Sequence, residues 1–147
     1  MALARELGIS DRVRFAGEVS HEELAALYHA CDVFVLPSIT RAEAFGYVQL
    51  EAMACARPVV STRVPSGVAW VNRDGVTGLT VAPGDVEALA RAIAALTADP
   101  DLARRMGAAG RDRVLSEFTM ARMRTAAATL YREVASEQAA MTRLAPI

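Results

Sequence analysis

Glu43 and Glu51 stand eight positions apart in the run Glu43-Ala44-Phe45-Gly46-Tyr47-Val48-Gln49-Leu50-Glu51. An ionised carboxylate only accepts hydrogen bonds, so the pair suits a ligand rich in hydroxyl donors, such as a sugar. The stretch before it, Asp32-Val33-Phe34-Val35-Leu36-Pro37-Ser38, reads as a strand running into a loop. Glu43 is therefore expected in the loop, and Glu51 about five residues into the next helix. A buried strand, a loop and a helix N-terminus form the place where α/β proteins hold phosphate-bearing ligands. The backbone N–H groups of Phe45, Gly46 and Tyr47 are expected to face such a ligand at the positive end of the helix dipole. Gly46 allows close approach of the backbone. The ring of Phe45 reads equally well as core.

Weaker candidates surround this pair. Gly17 and Val19 follow a predicted strand and could line the same sheet edge, although a plain tight turn explains Gly17 equally well. Pro37 and Ser38 end the next strand at the same edge. Asp99-Pro100-Asp101 matches a D-x-D metal pattern, but it ends one helix and caps another, so its reading is structural. His21 and His29 share a helix with polar neighbours and have no nucleophile beside them. Trp70 is expected to pack in the core. No G-x-G-x-x-G or Walker pattern occurs, which argues against a dehydrogenase or an NTPase.

The elements that must position these residues can be read along the chain. Ala2 to Gly8 reads as the end of a helix, with Gly8 closing it. Arg12–Ala16, Asp32–Leu36, Pro58–Ser61 and Leu79–Ala82 read as strands. Helices are expected at Tyr47–Ala56, Ser66–Asn72, Val86–Ala98 and Leu102–Leu115, and from Thr119 to about Ser136. Ser20-His21-Glu22-Glu23 is a capping box that opens a helix with Leu24, Leu27 and Tyr28 on its apolar stripe. The alternation predicts an α/β domain with a parallel, Rossmann-like sheet flanked by helices over 1–136, and a frayed tail over 137–147.

Composition narrows the class. The chain has 147 residues, 53% of them hydrophobic, enough for one domain with its own core. A net charge of -1 argues against a nucleic-acid partner. No run is long and apolar enough to predict a membrane span, and the N-terminus lacks the apolar stretch of a signal peptide. Cys31 and Cys55 fall in apolar patterns and read as reduced core thiols of a cytosolic protein. All 16 cationic side chains are arginine.

The stretch from about Leu7 to Tyr131 resembles the C-terminal domain of the retaining, family 4 glycosyltransferases of GT-B fold. The resemblance rests on the E-x7-E signature at Glu43 and Glu51 and on Glu51-Ala52-Met53-Ala54-Cys55-Ala56-Arg57-Pro58-Val59-Val60. It continues through Asp74-Gly75-Val76-Thr77-Gly78-Leu79 and Pro83-Gly84-Asp85. One departure is Ala56, where the family usually has Gly; if that position requires positive φ, Ala costs roughly 1 kcal/mol.

The resemblance implies a chemistry. Glu51 would accept hydrogen bonds from the nucleotide ribose, and Glu43 would act at the donor sugar near the reacting carbon. The amides at Phe45–Tyr47 would stabilise the departing diphosphate without an essential metal or other cofactor. Phe15-Ala16-Gly17 would contact the base. The partners implied are a nucleotide-sugar donor and an acceptor-binding N-terminal domain. The family carries its phosphate-binding Arg and Lys on two earlier strands, which are not in this sequence. The chain therefore reads as a GT-B C-terminal domain lacking its first two strands, a fragment with little activity of its own. Its incomplete sheet could self-associate. Transfer with retention in bacterial polysaccharide or glycolipid synthesis is the implied function, and the cytoplasm, with peripheral contact at the inner membrane, the implied location. A non-catalytic nucleotide-sugar-binding or interaction fragment is the alternative. An epimerase of the same fold is a third possibility, although such enzymes do not as a rule share the E-x7-E segment.

Overall fold

A computed structural model describes residues 2–144, with side chains to residue 138. A short helix, α1 (Ala2–Glu6), and a 3-10 turn (Ser10–Arg12) open the chain. The α/β part then runs α2 (His21–Ala30), β1 (Phe34–Leu36), α3 (Tyr47–Ala54), β2 (Val59–Thr62), α4 (Val68–Val71), β3 (Gly78–Val81) and α5 (Val86–Ala98). Two long helices close it, α6 (Pro100–Glu117) and α7 (Met120–Leu144). The strands form one parallel sheet in the order β1-β2-β3. Phe34 is in register with Val59, and Val59 with Gly78.

The sheet separates two apolar clusters because successive strand side chains point to opposite faces. Val59 joins Tyr28, Ala52, Met53 and Val71 on one face, with Phe34 and Val114 against them. Val60 joins Val81, Ala92, Leu96 and Met106 on the other, with Val35 and Leu89. All of β2 is buried, as expected of a central strand covered on both sides. Gly78 faces the Val59 backbone so closely that a Cβ would lie 1.8 Å from the Val59 carbonyl oxygen. No side chain fits there.

The helix starts follow the capping rules. Ser20 and Glu23 close the capping box, at 2.8 and 3.2 Å. Asp85 accepts from the Ala88 N–H at 2.8 Å and Asp99 from the Leu102 N–H at 2.9 Å. Asp101 pairs with Arg104, so both carboxylates of the D-x-D match hold helix α6 rather than a metal.

Three expectations are corrected. Arg12–Ala16 is not a sheet strand: the stretch from Val13 to Gly17 has no strand pairing, and Phe15 is 57% exposed. Alternating residues mark a strand only where neighbouring strands supply backbone partners, and among the described residues the outer edge of β1 has none. Trp70 is not in the core but 57% exposed, because the short α4 turns only Val68 and Val71 inward. The last helix does not stop near Ser136 but continues to Leu144; residues 145–147 lie outside the described residues.

Ala56 has φ 56°, in the left-handed region, and follows the end of α3. It is the position where the sequence pattern wanted Gly. Ala56→Gly should raise stability by up to about 1 kcal/mol, read as a higher urea midpoint with unchanged m-value.

Candidate functional site

The carboxyl edge of the sheet carries the candidate residues. Ser38 follows β1 there, and its carbonyl accepts the hydroxyl of Thr62 at the end of β2. The chain then loops out and returns at Gly46, whose φ of 75° and ψ of 54° start helix α3. Gly46 is buried between β1 and α4. A Cβ at this position would lie 2.7 Å from Gln49 Nε2, 3.0 Å from Leu36 Cδ2 and 3.3 Å from Val68 Cγ2. Both the backbone angle and the packing exclude a side chain.

The loop is clamped from below. The Gly67 N–H donates to the Ala44 carbonyl at 2.8 Å. Gln49 is fully buried and donates from Nε2 to the Val68 carbonyl at 3.3 Å. These two bonds tie the loop and the first turn of α3 to the start of α4.

Glu43 is half-buried and accepts the Gly46 N–H through Oε1 at 3.0 Å. This corrects the expectation for Gly46: its amide is taken by Glu43 and is not offered to a ligand. The amides of Tyr47 and Val48 remain as the first two of the helix, without intrahelical acceptors. Among the described residues Glu43 forms no ion pair with Arg41.

Glu51 lies one turn further, about 6 Å along the axis from Tyr47. Its carboxylate is exposed, and Oε2 accepts the Tyr28 hydroxyl at 2.8 Å. Tyr28 is buried on α2 with its ring 5.6 Å from Phe34. A side chain from another helix thus sets the position of Glu51. Burial, followed by the hydrogen bond to Glu51, pushes the Tyr28 hydroxyl far above the ordinary tyrosine range.

Phe45 and Tyr47 differ. The Phe45 ring is half-buried, 5.0 Å from Tyr47, 6.0 Å from Trp70 and 6.4 Å from Phe118. Its ring belongs to packing, while Tyr47 is 71% exposed. Beneath Trp70, the buried Arg113 donates to the Trp70 carbonyl at 3.1 Å, stacks 5.4 Å from its ring, and pairs with Glu117 at 3.3 Å.

Gly17 and Val19 precede α2. Gly17 is exposed with φ 68°, in the unpaired stretch before α2. Among the described residues no hydrogen bond or ring contact joins either residue to Glu43–Glu51. His21 and His29 are exposed on α2. No group of His, Cys, Asp or Glu side chains suited to a metal occurs among the described residues, and no helix among them is long and apolar enough to cross a membrane.

Sequence reasoning missed the supports. Tyr28 looked like one member of an apolar stripe. Asn72 is buried; its Nδ2 lies 3.1 Å from the Val59 carbonyl, 2.9 Å from Ser61 Oγ and 3.1 Å from the Leu79 carbonyl, and its Oδ1 accepts from Thr77 at 2.8 Å. Asp74 accepts the Thr80 N–H at 2.7 Å. The only advance signal was a polar residue beside an apolar run, which is common on any surface.

The fold is that of an open parallel α/β sheet, a class that binds its ligands at the carboxyl ends of the strands. The sequence profile of the family described as "Glycosyl transferases group 1" matches residues 1–113, and the chain belongs to that family. It is 40% identical over 129 residues to a glycogen synthase of Mycobacterium tuberculosis, covering 87% of this chain and 30% of that protein. The structure is similar to a sucrose-phosphate synthase from Thermosynechococcus elongatus (TM-score 0.82, 40% identity, 92% of this chain and 33% of that one). It is also similar to Anabaena HepE in complex with UDP (TM-score 0.81, 27% identity, 89% of this chain and 35% of that one). The chain thus spans about a third of the length of these relatives. The relatives are GT-B glycosyltransferases, and the three-stranded parallel sheet corresponds to part of that fold.

Two outcomes test this geometry. Gly46→Ala should cost at least about 2 kcal/mol in denaturant unfolding, through backbone strain and overpacking together. In an alkaline titration followed by tyrosinate absorbance, a late step far above the ordinary tyrosine range is expected from Tyr28, and Tyr28→Phe should remove it. The sign follows from the raised folded-state value. Stabilisation from neutral Tyr28 is complete below the unfolded value of 10.0 and is lost as pH rises beyond it.

Proposed function

We propose that this chain is the donor-binding part of a retaining glycosyltransferase that moves a sugar from a nucleotide-sugar to an acceptor hydroxyl. The observation that carries the reading is the arrangement of Glu43 and Glu51, one in the loop and one a turn into α3, each oriented by a single hydrogen bond. Both are acceptors, and neither is consumed by an ion pair among the described residues. In this reading Glu51 holds the ribose hydroxyls while Tyr28 fixes one of its oxygens. Glu43 uses the oxygen not bonded to Gly46 to grip hydroxyls of the donor sugar beside the reacting carbon.

The Tyr47 and Val48 amides, at the positive end of α3, then face the diphosphate as it departs. This supports transfer without an essential metal. A nucleophilic role for Glu43, as in glycosidases with two close carboxylates, is not favoured, because its partner carboxylate serves the ribose. Solved complexes of Anabaena HepE with UDP and with UDP-glucose support a nucleotide-sugar as the donor class here. Polysaccharide or glycolipid synthesis in the bacterial cytoplasm, with an acceptor-binding N-terminal domain as partner, completes the reading.

One observation favours a second reading. Among the described residues the outer edge of β1 is unpaired, and an open parallel edge is a surface for association. A non-catalytic nucleotide-sugar-binding or interaction fragment would use it.

Calorimetric titration with UDP, GDP and UDP-glucose separates the two. Micromolar binding of one nucleotide, weakened at least about tenfold by Glu51→Ala, is expected from the donor site. Glu43→Ala should leave UDP binding intact and remove any preference for UDP-glucose over UDP. A folded chain that binds neither nucleotide would sink the free-standing donor site and leave the interaction reading. The purified chain by itself is expected to show no turnover.

A further inference from the structure

Cys31 and Cys55 end the two helices that carry Tyr28 and Glu51. Cys31 caps α2, donating its N–H to the Leu27 carbonyl at 3.1 Å, and Cys55 caps α3. Both are free thiols and half-buried. The chain leaves each of them into neighbouring strands: Cys31 stands three residues before Phe34 and Cys55 four before Val59, and those two residues are in register. Parallel neighbours lie about 4.8 Å apart.

The pairing extends back towards the cysteines. The Phe34 N–H donates to the Pro58 carbonyl at 3.0 Å, and Arg57 Nη1 donates to the Cys31 carbonyl at 3.1 Å. Each cysteine also lies against Tyr28 or its apolar cluster. Cys31 Sγ lies 3.4 Å from the Tyr28 carbonyl oxygen, and Cys55 packs against the cluster that contains Tyr28. Burial pushes the Cys31 thiol up, and Arg57 opposes this.

We propose that Cys31 and Cys55 form a reversible intramolecular disulfide, closing a ring that contains the whole of the Glu43–Glu51 signature. The oxidant is a low-molecular-weight disulfide such as oxidised glutathione. One protein thiolate attacks a glutathione sulfur, giving a mixed disulfide and releasing one glutathione thiolate. The second protein thiolate then attacks the protein-side sulfur and releases the other. Two protein thiols lose two protons and two electrons, and one oxidised glutathione becomes two reduced ones. The bridge fixes the end of α2 against the end of α3, across the Tyr28–Glu51 hydrogen bond. It does not depend on which donor, if any, the site binds.

The test is equilibration of the folded chain in glutathione buffers of increasing oxidised fraction, acid quenching, alkylation and mass spectrometry. The expected product is a monomer about 2 Da lighter, with a Cys31–Cys55 linked peptide that dithiothreitol reverses. The same series in denaturing urea distinguishes a bridge favoured by the fold from a random one, and its bridging constant should fall at least about tenfold. Glutathione adducts on both cysteines, disulfide-linked dimers, unreacted thiols, or equal bridging in urea would each overturn the proposal.

Discussion

The backbone reversal at Gly46 is the constraint on which the site depends. The chain leaves β1 outward and must turn back to start α3 against the sheet. It does so at one residue with φ 75°, enclosed by Gln49, Leu36 and Val68. That turn fixes the direction of the helix and where its first amides point. It also places the Gly46 N–H where Glu43 can accept it. A carboxylate in a mobile loop would lose much of its affinity to ordering on binding. Here the ordering is made in advance by the same residue that starts the helix.

Polar bonds, more than apolar area, hold the surrounding frame in register. Gln49 and Asn72 are both fully buried, where an unpaired amide costs about 1–3 kcal/mol. Asn72 bonds the Val59 and Leu79 carbonyls, so it reads the spacing of β2 and β3 directly. Gln49 bonds the Val68 carbonyl and sets α3 on α4. Apolar contacts tolerate small slides between elements. These bonds do not, because each has one length and one direction.

Much of this was legible in the residues, and the parts that were not share a cause. β2 and the helix caps at Ser20 and Asp99 are local patterns, and each element forms close to where its pattern lies. The left-handed turn at Ala56 could be anticipated only from the resemblance, because the family usually has Gly there. The failures depend on distant partners. Arg12–Ala16 alternates like a strand but has nothing to pair with. Trp70 has the composition of a core residue, yet it lies over Arg113 and Phe118 from α6 and its flank, a contact no local pattern announces. The Gly46 amide is the local exception: Glu43, only three residues before it, takes it, and spacing alone does not show that. Tyr28 and Glu51 are 23 positions apart, so their bond is equally silent.

The two carboxylates are supported by different kinds of structure. Glu43 is held by its own loop, and its geometry survives as long as Gly46 keeps its turn. Glu51 is held by Tyr28, Tyr28 packs against Phe34, and Phe34 is paired to β2. Glu51 therefore senses the packing of α2 on the sheet, while Glu43 does not. Loosening of the apolar face around Tyr28, Met53 and Val59 would move one acceptor and leave the other in place. A ligand that needs both must then find the core intact as well as the loop. In that sense the burial of a single tyrosine ring couples the stability of this domain to the shape of its binding edge.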